Sequence, residues 1–320
     1  MPHPDNSNWI SLLVGQEVQI PPPQSFDDIH AARAAYDFSA LNAELPDVAE
    51  FHEEVVLRER QGIELAGELY VPEGTGPFPA MLYMHGGGFC VSSAEGVRRA
   101  AMRIAAEGYV VLNLNYGLAP EHPFPWAVED AVYAARWLKR NAERYRGDPE
   151  RLLVGGDSSG ANLAAVVIST LHGSTQGVDP GDLSETSVRF RGGLFLYGLF
   201  DFPMAMLEPG SNAGAAEVWW NLAYLGPNFL RNHRNPLVSP IYADNLDAFP
   251  PVYLSCGDED SLLGQSLAMT KALTQANVPT TLSVVAGADH TFTYVEMKIP
   301  EKVTPEFNRI FAWLSDVTHQ

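Results

Sequence analysis

Apolar and polar positions change rhythm twice along this chain. The first fifty residues are irregular: a Pro21-Pro22-Pro23 break leads to Ser25-Phe26-Asp27-Asp28, a capped helix start, and Phe26, Ile29, Ala32 and Tyr36 then recur at helical spacing. Because this helix precedes every strand signal, it must lie on the outside of the fold or cover something. Residues 51–58 and 63–71 alternate around Gln61-Gly62, which predicts two half-exposed strands in an antiparallel hairpin. Beyond it the apolar runs become short and continuous, at 78–84, 109–114, 152–154, 193–197, 252–255 and 281–285. Helical segments at 94–106, 126–145, 160–171, 261–275 and 305–314 separate them. Buried parallel strands and their crossovers read in this way, so the expected fold class is α/β, a mainly parallel sheet flanked by helices on both faces. One segment interrupts the alternation. Between Phe200 and His233, Met204, Met206, Leu207, Trp219, Trp220, Tyr224, Leu225 and Phe229 crowd together. Such a segment either packs on the core or joins the N-terminal helix as a lid over an apolar pocket.

Composition narrows the partners. A chain of 320 residues can bury a core without disulfides or metals, and one domain over 1–320 is expected. With 39 acidic against 20 basic residues and a formal charge of -19, its field repels nucleic acid and anionic membranes. The two cysteines, Cys90 and Cys256, make no disulfide framework, and no Cys/His spacing suits zinc, so no metal is expected. Residues 1–20 carry Asp5 and Glu17, no Lys or Arg and no long apolar core, which does not read as a signal peptide. No run reaches the roughly 18 apolar residues of a spanning helix. A soluble cytoplasmic protein acting on a small molecule, without a cofactor, is expected.

The candidate chemistry centres on Gly156-Asp157-Ser158-Ser159-Gly160, between the apolar run 152–154 and the helix-forming Ala161-Asn162-Leu163. A serine flanked by glycines on a strand-to-helix turn is held up at the sheet edge, which makes Ser158 the candidate nucleophile. A serine hydroxyl is weak at neutral pH and needs a base, and the base needs an orienting partner. Of nine histidines, His290 follows the 281–285 strand through Ala286-Gly287-Ala288-Asp289, on the edge where Ser158 should sit. His3 and His319 are terminal, and His30, His172 and His233 fall in polar stretches that read as surface. The orienting acid should follow a strand between serine and histidine. Asp258, Glu259 and Asp260 all do, and spacing leaves the three open. His85-Gly86-Gly87-Gly88 follows another apolar run; the N–H groups of Gly86, Gly87 and Ser159 are the expected donors to an oxyanion.

These motifs, with Tyr116-Gly117-Leu118-Ala119-Pro120-Glu121-His122-Pro123, Ser239-Pro240-Ile241-Tyr242-Ala243, the Gly257 to Asp260 spacing and His290-x-Phe292, resemble the hormone-sensitive-lipase-like esterases. That resemblance implies an α/β-hydrolase fold, a helical cap from residues 1–48 and 200–235, and hydrolysis of short-to-medium acyl esters through an acyl-enzyme. It makes Asp260 the acid and His122 a structural residue beside the site. The chain departs from the family pattern at Gly117, usually arginine, Ser159, usually alanine, Ser261, usually proline, and Gly264-Gln265, usually an acidic pair. Phe89, Trp219, Trp220 and Phe229 are the expected pocket wall. The expected partners are a small-molecule ester and, through 280–285 and 303–314, a second copy of the chain. Two alternatives stand beside this reading: a hydrolase of a special amide, formamide or lactone, and a small-molecule receptor without turnover. The complete serine, acid and histidine set speaks against the receptor.

Overall fold

The computed structural model describes residues 25–173, 177–179, 181–206, 215–226 and 229–319, the side chains of 206, 215–219 and 229–230 excepted. Residues 1–24, 207–214 and 227–228 of the expected cap therefore lie outside the described residues.

Eight strands form one sheet: β1 Glu50–Arg60, β2 Ile63–Val71, β3 Phe78–Met84, β4 Val110–Asn115, β5 Gly147–Asp157, β6 Phe190–Leu196, β7 Val252–Gly257 and β8 Thr280–Val285. Their spatial order is β1-β2-β4-β3-β5-β6-β7-β8. The hairpin β1–β2 and the β2–β4 pair are antiparallel, and every later neighbour is parallel. The burial strings explain the two rhythms of the sequence. Strand β1, at the edge of the sheet, is exposed or half-buried at every residue but Leu57, whereas all six residues of β7 are buried because helices cover both faces of the sheet there.

The helices, in chain order, are α1 Phe26–Ala35, α2 Ala94–Ala106, α3 Trp126–Asn141, α4 Ser159–His172, α5 Phe202–Met206, α6 Ala215–Leu225, α7 Phe229–Asn232, α8 Leu263–Gln275 and α9 Pro300–Thr318. Helices α2 and α9 bury Val97, Ala101, Ile104, Phe307, Ile310 and Leu314 against one face of the sheet. On the other face α3, α4 and α8 contribute Val128, Val132, Leu163, Val167, Met269 and Leu273. At about 1.5–3 kcal/mol for each fully buried large apolar side chain, these two layers are the main stabilisation of the fold. Among the described residues no helix is long and apolar enough to cross a membrane.

Of the boundaries that differ from the sequence expectation, three have a plain physical reason. Helix α9 starts at Pro300, because Val303 is already buried in register with Phe307 and Ile310; Pro305 falls in its second turn and has no N–H for the carbonyl four residues back. The 126–145 helix ends at Asn141 and tightens into a 3-10 turn, Ala142–Tyr145, which Arg146 closes at φ +62°. Strand β5 starts at Gly147, since its polar residues pair with the beginning of β3, Phe78 with Gly147 and Pro79 with Asp148.

Helix α1 begins as its cap predicts, Ser25 Oγ accepting the N–H of Asp28 at 3.2 Å. It is tied to the rest of the molecule by Arg33, whose guanidinium donates to the carbonyls of Cys90 and Ala119 and to Glu121 at 2.7 Å. The chain after α1 then crosses the sheet's C-terminal edge, where the candidate residues gather.

Candidate active site

Strand β5 ends at Asp157 and α4 begins at Ser159, so Ser158 occupies the junction with φ +51° and ψ -117°. Positive φ is unfavourable for a residue with a side chain, a strain of about 1–3 kcal/mol that surrounding structure must hold. The flanking glycines show how. A Cβ on Gly156 would lie 2.5 Å from the Met84 carbonyl oxygen, and one on Gly160 would lie 2.0 Å from that same atom. Backbone from β3, β5 and α4 converges too closely for any other residue.

The elbow presents Ser158 Oγ to His290, whose Nε2 is 3.1 Å away. His290 Nδ1 is 2.8 Å from Asp260 Oδ2, and Asp260 Oδ1 accepts the Leu262 N–H at 2.7 Å. Of the three acids left open by spacing, Asp258 and Glu259 are exposed and Asp260 is buried, its carboxylate fully enclosed behind the imidazole. Burial pulls the His290 pKa down, but the Asp260 charge and hydrogen bond, with the charges of Asp157 and Asp289, outweigh it and leave the pKa above its ordinary 6.5. The other histidine of the motifs behaves oppositely. His85 is buried, stacks on Tyr116 at 4.4 Å, and desolvation lowers its pKa to about 4, so it is neutral at physiological pH.

The glycine turn corrects one expectation. The Gly86 N–H does not face the cavity; it donates to Asp157 Oδ2 at 3.1 Å. The cavity beside Ser158 is instead lined by Gly87, Gly88 and Ser159. Gly88 was not among the expected donors, because the spacing of three consecutive glycines does not tell which amides turn inward. Beyond supplying backbone, Ser159 has a hydroxyl that accepts the Phe89 N–H at 3.3 Å, a contact alanine would not make.

This cavity of about 200 Å³ is also lined by Tyr36, Phe38, Phe89, Leu199, Ala205, Trp220, Leu262, Asp289, His290 and Tyr294. Phe89 and Trp220 stand where a pocket wall was expected, with Phe89 stacked on Tyr224 at 3.9 Å and Trp220 above Gly88. The side chains of Trp219 and Phe229 lie outside the described residues. Sequence reasoning missed Tyr36 and Phe38, which follow α1 and stack at 5.4 Å. The helical signal that ends at Tyr36 pointed to a covering element but not to what it covered, and Phe38 stood outside it. A second cavity adjoins, sharing Tyr36, Phe38 and Ser92 and otherwise lined by Arg33, Asp37, Ser93 and Glu95. Gly117, usually arginine in the family, has the Trp126 ring 2.4 Å from where a Cβ would stand, and Trp126 fills that space together with His122 at 4.5 Å.

A serine on a strained strand-to-helix elbow, at the carboxyl edge of a mainly parallel eight-stranded sheet, defines an α/β hydrolase. A family model described as alpha/beta hydrolase fold matches residues 81–294. The chain is 29% identical to the carboxylic ester hydrolase LipN of Mycobacterium tuberculosis over 244 residues, 72% of this chain and 61% of that protein. It is 29% identical to the ethyl acetate hydrolase of Pseudomonas putida over 302 residues, 91% of each. Among solved structures, a hyperthermophilic esterase from the archaeon Pyrobaculum calidifontis superposes with a TM-score of 0.79 at 25% identity over 99% of both chains. The match to LipN, like that to the mycobacterial esterase LipI, spans about three fifths of the relative's length. The chain belongs to the hormone-sensitive-lipase-like carboxylesterase family of α/β hydrolases.

Proposed function

We propose that this protein hydrolyses carboxylic esters with short-to-medium acyl chains through an acyl-enzyme intermediate. The observation that carries the reading is the relay at the cavity wall, Ser158 Oγ to His290 Nε2 at 3.1 Å and His290 Nδ1 to Asp260 Oδ2 at 2.8 Å. In the forward step His290 takes the Ser158 proton as Oγ bonds to the ester carbonyl carbon, and the carbonyl electron pair moves onto oxygen. The tetrahedral intermediate collapses, and the imidazolium hands its proton to the departing alcohol. Water, deprotonated by the same imidazole, then attacks the acyl-enzyme and releases the acid and free Ser158. Asp260 stabilises the imidazolium in both half-reactions. The N–H groups of Gly87, Gly88 and Ser159 serve the oxyanion, each worth about 10² to 10³ in turnover when positioned in advance. Gly86, expected in that role, supports the turn instead.

The limit to short and medium chains follows from the size of the cavity and from its roof. Helix α1 with Tyr36 and Phe38, and the segment carrying Ala205 and Trp220, form the cap in this proposal. The name of the Pseudomonas relative, an ethyl acetate hydrolase, agrees with a small acyl group. The test is release of p-nitrophenol from acetate, butyrate and octanoate esters by the wild type and Ser158→Ala. Turnover highest on the shorter esters and lost in the variant is expected. A variant that retains full turnover would remove Ser158 from the nucleophile's role.

A further inference from the structure

The residue between Gly156 and Ser158, Asp157, carries a second fully enclosed carboxylate beside the nucleophile. Asp157 has no solvent-accessible surface. Its Oδ2 accepts the Gly86 N–H at 3.1 Å and the Tyr294 hydroxyl at 2.5 Å, and Tyr83 donates to Oδ1 at 3.4 Å. Those donors come from different parts of the site. Gly86 opens the glycine turn whose next two residues line the cavity, and Tyr294 sits four residues after His290 in the 3-10 turn Phe292–Val295. A Cβ on Gly86 would lie 2.5 Å from Asp157 Oδ2, so glycine there is what lets the carboxylate reach the amide.

We infer that Asp157 is a positioning residue for ester hydrolysis: its carboxylate clamps the oxyanion turn and the His290 loop to the nucleophile elbow. Both act on the same tetrahedral intermediate, and a displacement of about 1 Å at either costs roughly 10² in rate. Burying a carboxylate is unfavourable, and desolvation raises the Asp157 pKa to about 6 despite the opposing hydrogen bonds and the charge of His290. The fold tolerates this costly group where an apolar side chain would pack more easily. A structural role alone gives no reason for it, whereas holding two catalytic segments in register does. Charge-assisted hydrogen bonds are about twice as strong as neutral ones, which suits a clamp that must not yield when charge develops nearby.

The inference rests on the esterase reading, and the experiment separates the two. Steady-state hydrolysis of p-nitrophenyl butyrate and inhibition by an alkyl trifluoromethyl ketone, which forms an oxyanion on Ser158, are measured for wild type, Asp157→Ala and Asp157→Asn. Asp157→Ala removes every acceptor; kcat should fall about 10²-fold and inhibitor affinity in parallel, with KM within about threefold. Asp157→Asn keeps one neutral oxygen acceptor and should recover most of the loss, remaining about three- to tenfold below wild type. A folded Asp157→Ala with wild-type kcat and inhibitor affinity would overturn the positioning role. If Asp157→Ala does not fold, Asp157→Asn decides: a matched fall in kcat and inhibitor affinity upholds the clamp, and unchanged values overturn it. Wild-type protein inert on every ester would overturn the esterase reading as well.

Discussion

The floor and the roof of the cavity are built by opposite means. The floor is backbone: β3, β5 and α4 meet where Gly156 and Gly160 leave no room for a Cβ, and the reactive side chains project from three strand ends of one sheet. The roof is side chain. Tyr36 stacks on Phe38, Phe89 lies against Tyr224 with ring planes 4° apart, Trp220 rests over Gly88, and Arg33 ties α1 to the carbonyls of Cys90 and Ala119. A backbone junction has one solution and fails abruptly when altered. A side-chain roof has many packings of similar energy, so it can change shape while the floor keeps working.

The sharpest way to break the floor is Gly160→Ala. The new methyl would meet the carbonyl oxygens of Met84 and His85 at 2.0 and 2.6 Å, both backbone, so β3 and α4 must part. Loss of turnover by about 10³ or more is expected, with a thermal midpoint lower by several degrees, since overpacking costs about 1–3 kcal/mol or more. Normal activity and stability would show that the junction is softer than the distances indicate.

Asp260→Asn tests the floor's chemistry without disturbing its shape. It should lower kcat by about 10⁴, because the amide no longer stabilises the imidazolium or fixes its tautomer. The pH profile carries a second, independent reading. His290 accepts a proton only when neutral, so kcat/KM in the wild type rises as pH passes through a pKa above 6.5. Without the Asp260 charge the lowering effect of burial is left to dominate, and the midpoint should fall below 6.5. The stability linkage runs the same way: a histidine pKa raised by folding contributes stability below pH 6.5 that is lost as pH climbs through the folded value, and Asp260→Asn, with the folded pKa below 6.5, should reverse the sign of that dependence in thermal melts.

The difference between floor and roof also decides what could be read from the sequence. The glycines beside Ser158 and the continuous apolar strands are local consequences of local crowding, and a short window displays them. Choosing Asp260 over Asp258 and Glu259 needed burial, which residue spacing alone does not carry; only the family resemblance pointed there. The inward amides of the glycine turn depended on where the Asp157 carboxylate goes, a contact between β5 and the turn after β3 that no local pattern encodes. Tyr36 read as the end of an outlying helix and Phe38 carried no signal at all, and their place above Ser158 is set by Arg33 reaching the Cys90 and Ala119 carbonyls. Tertiary contacts made by single side chains leave no periodic trace.

The smallest effect is the one that sharpens the comparison most. Phe38 lines both the catalytic cavity of about 200 Å³ and its neighbour, so Phe38→Ala should join them without touching Ser158, His290 or Asp260. Octanoate exceeds butyrate by four methylenes, and burying each is worth about 0.8 kcal/mol, up to ~3 kcal/mol in all. The added space is bordered by Arg33, Asp37, Ser93 and Glu95, which is a poor lining for an alkyl chain. A rise of about three- to tenfold in the octanoate-to-butyrate ratio of kcat/KM is therefore expected, well short of that ceiling. Turnover on acetate should stay within about twofold, because an acetyl group reaches only the floor. If Phe38→Ala instead lowered turnover on all three esters equally, the roof would be holding the catalytic residues in place, and the division between a rigid floor and an adjustable roof would not stand.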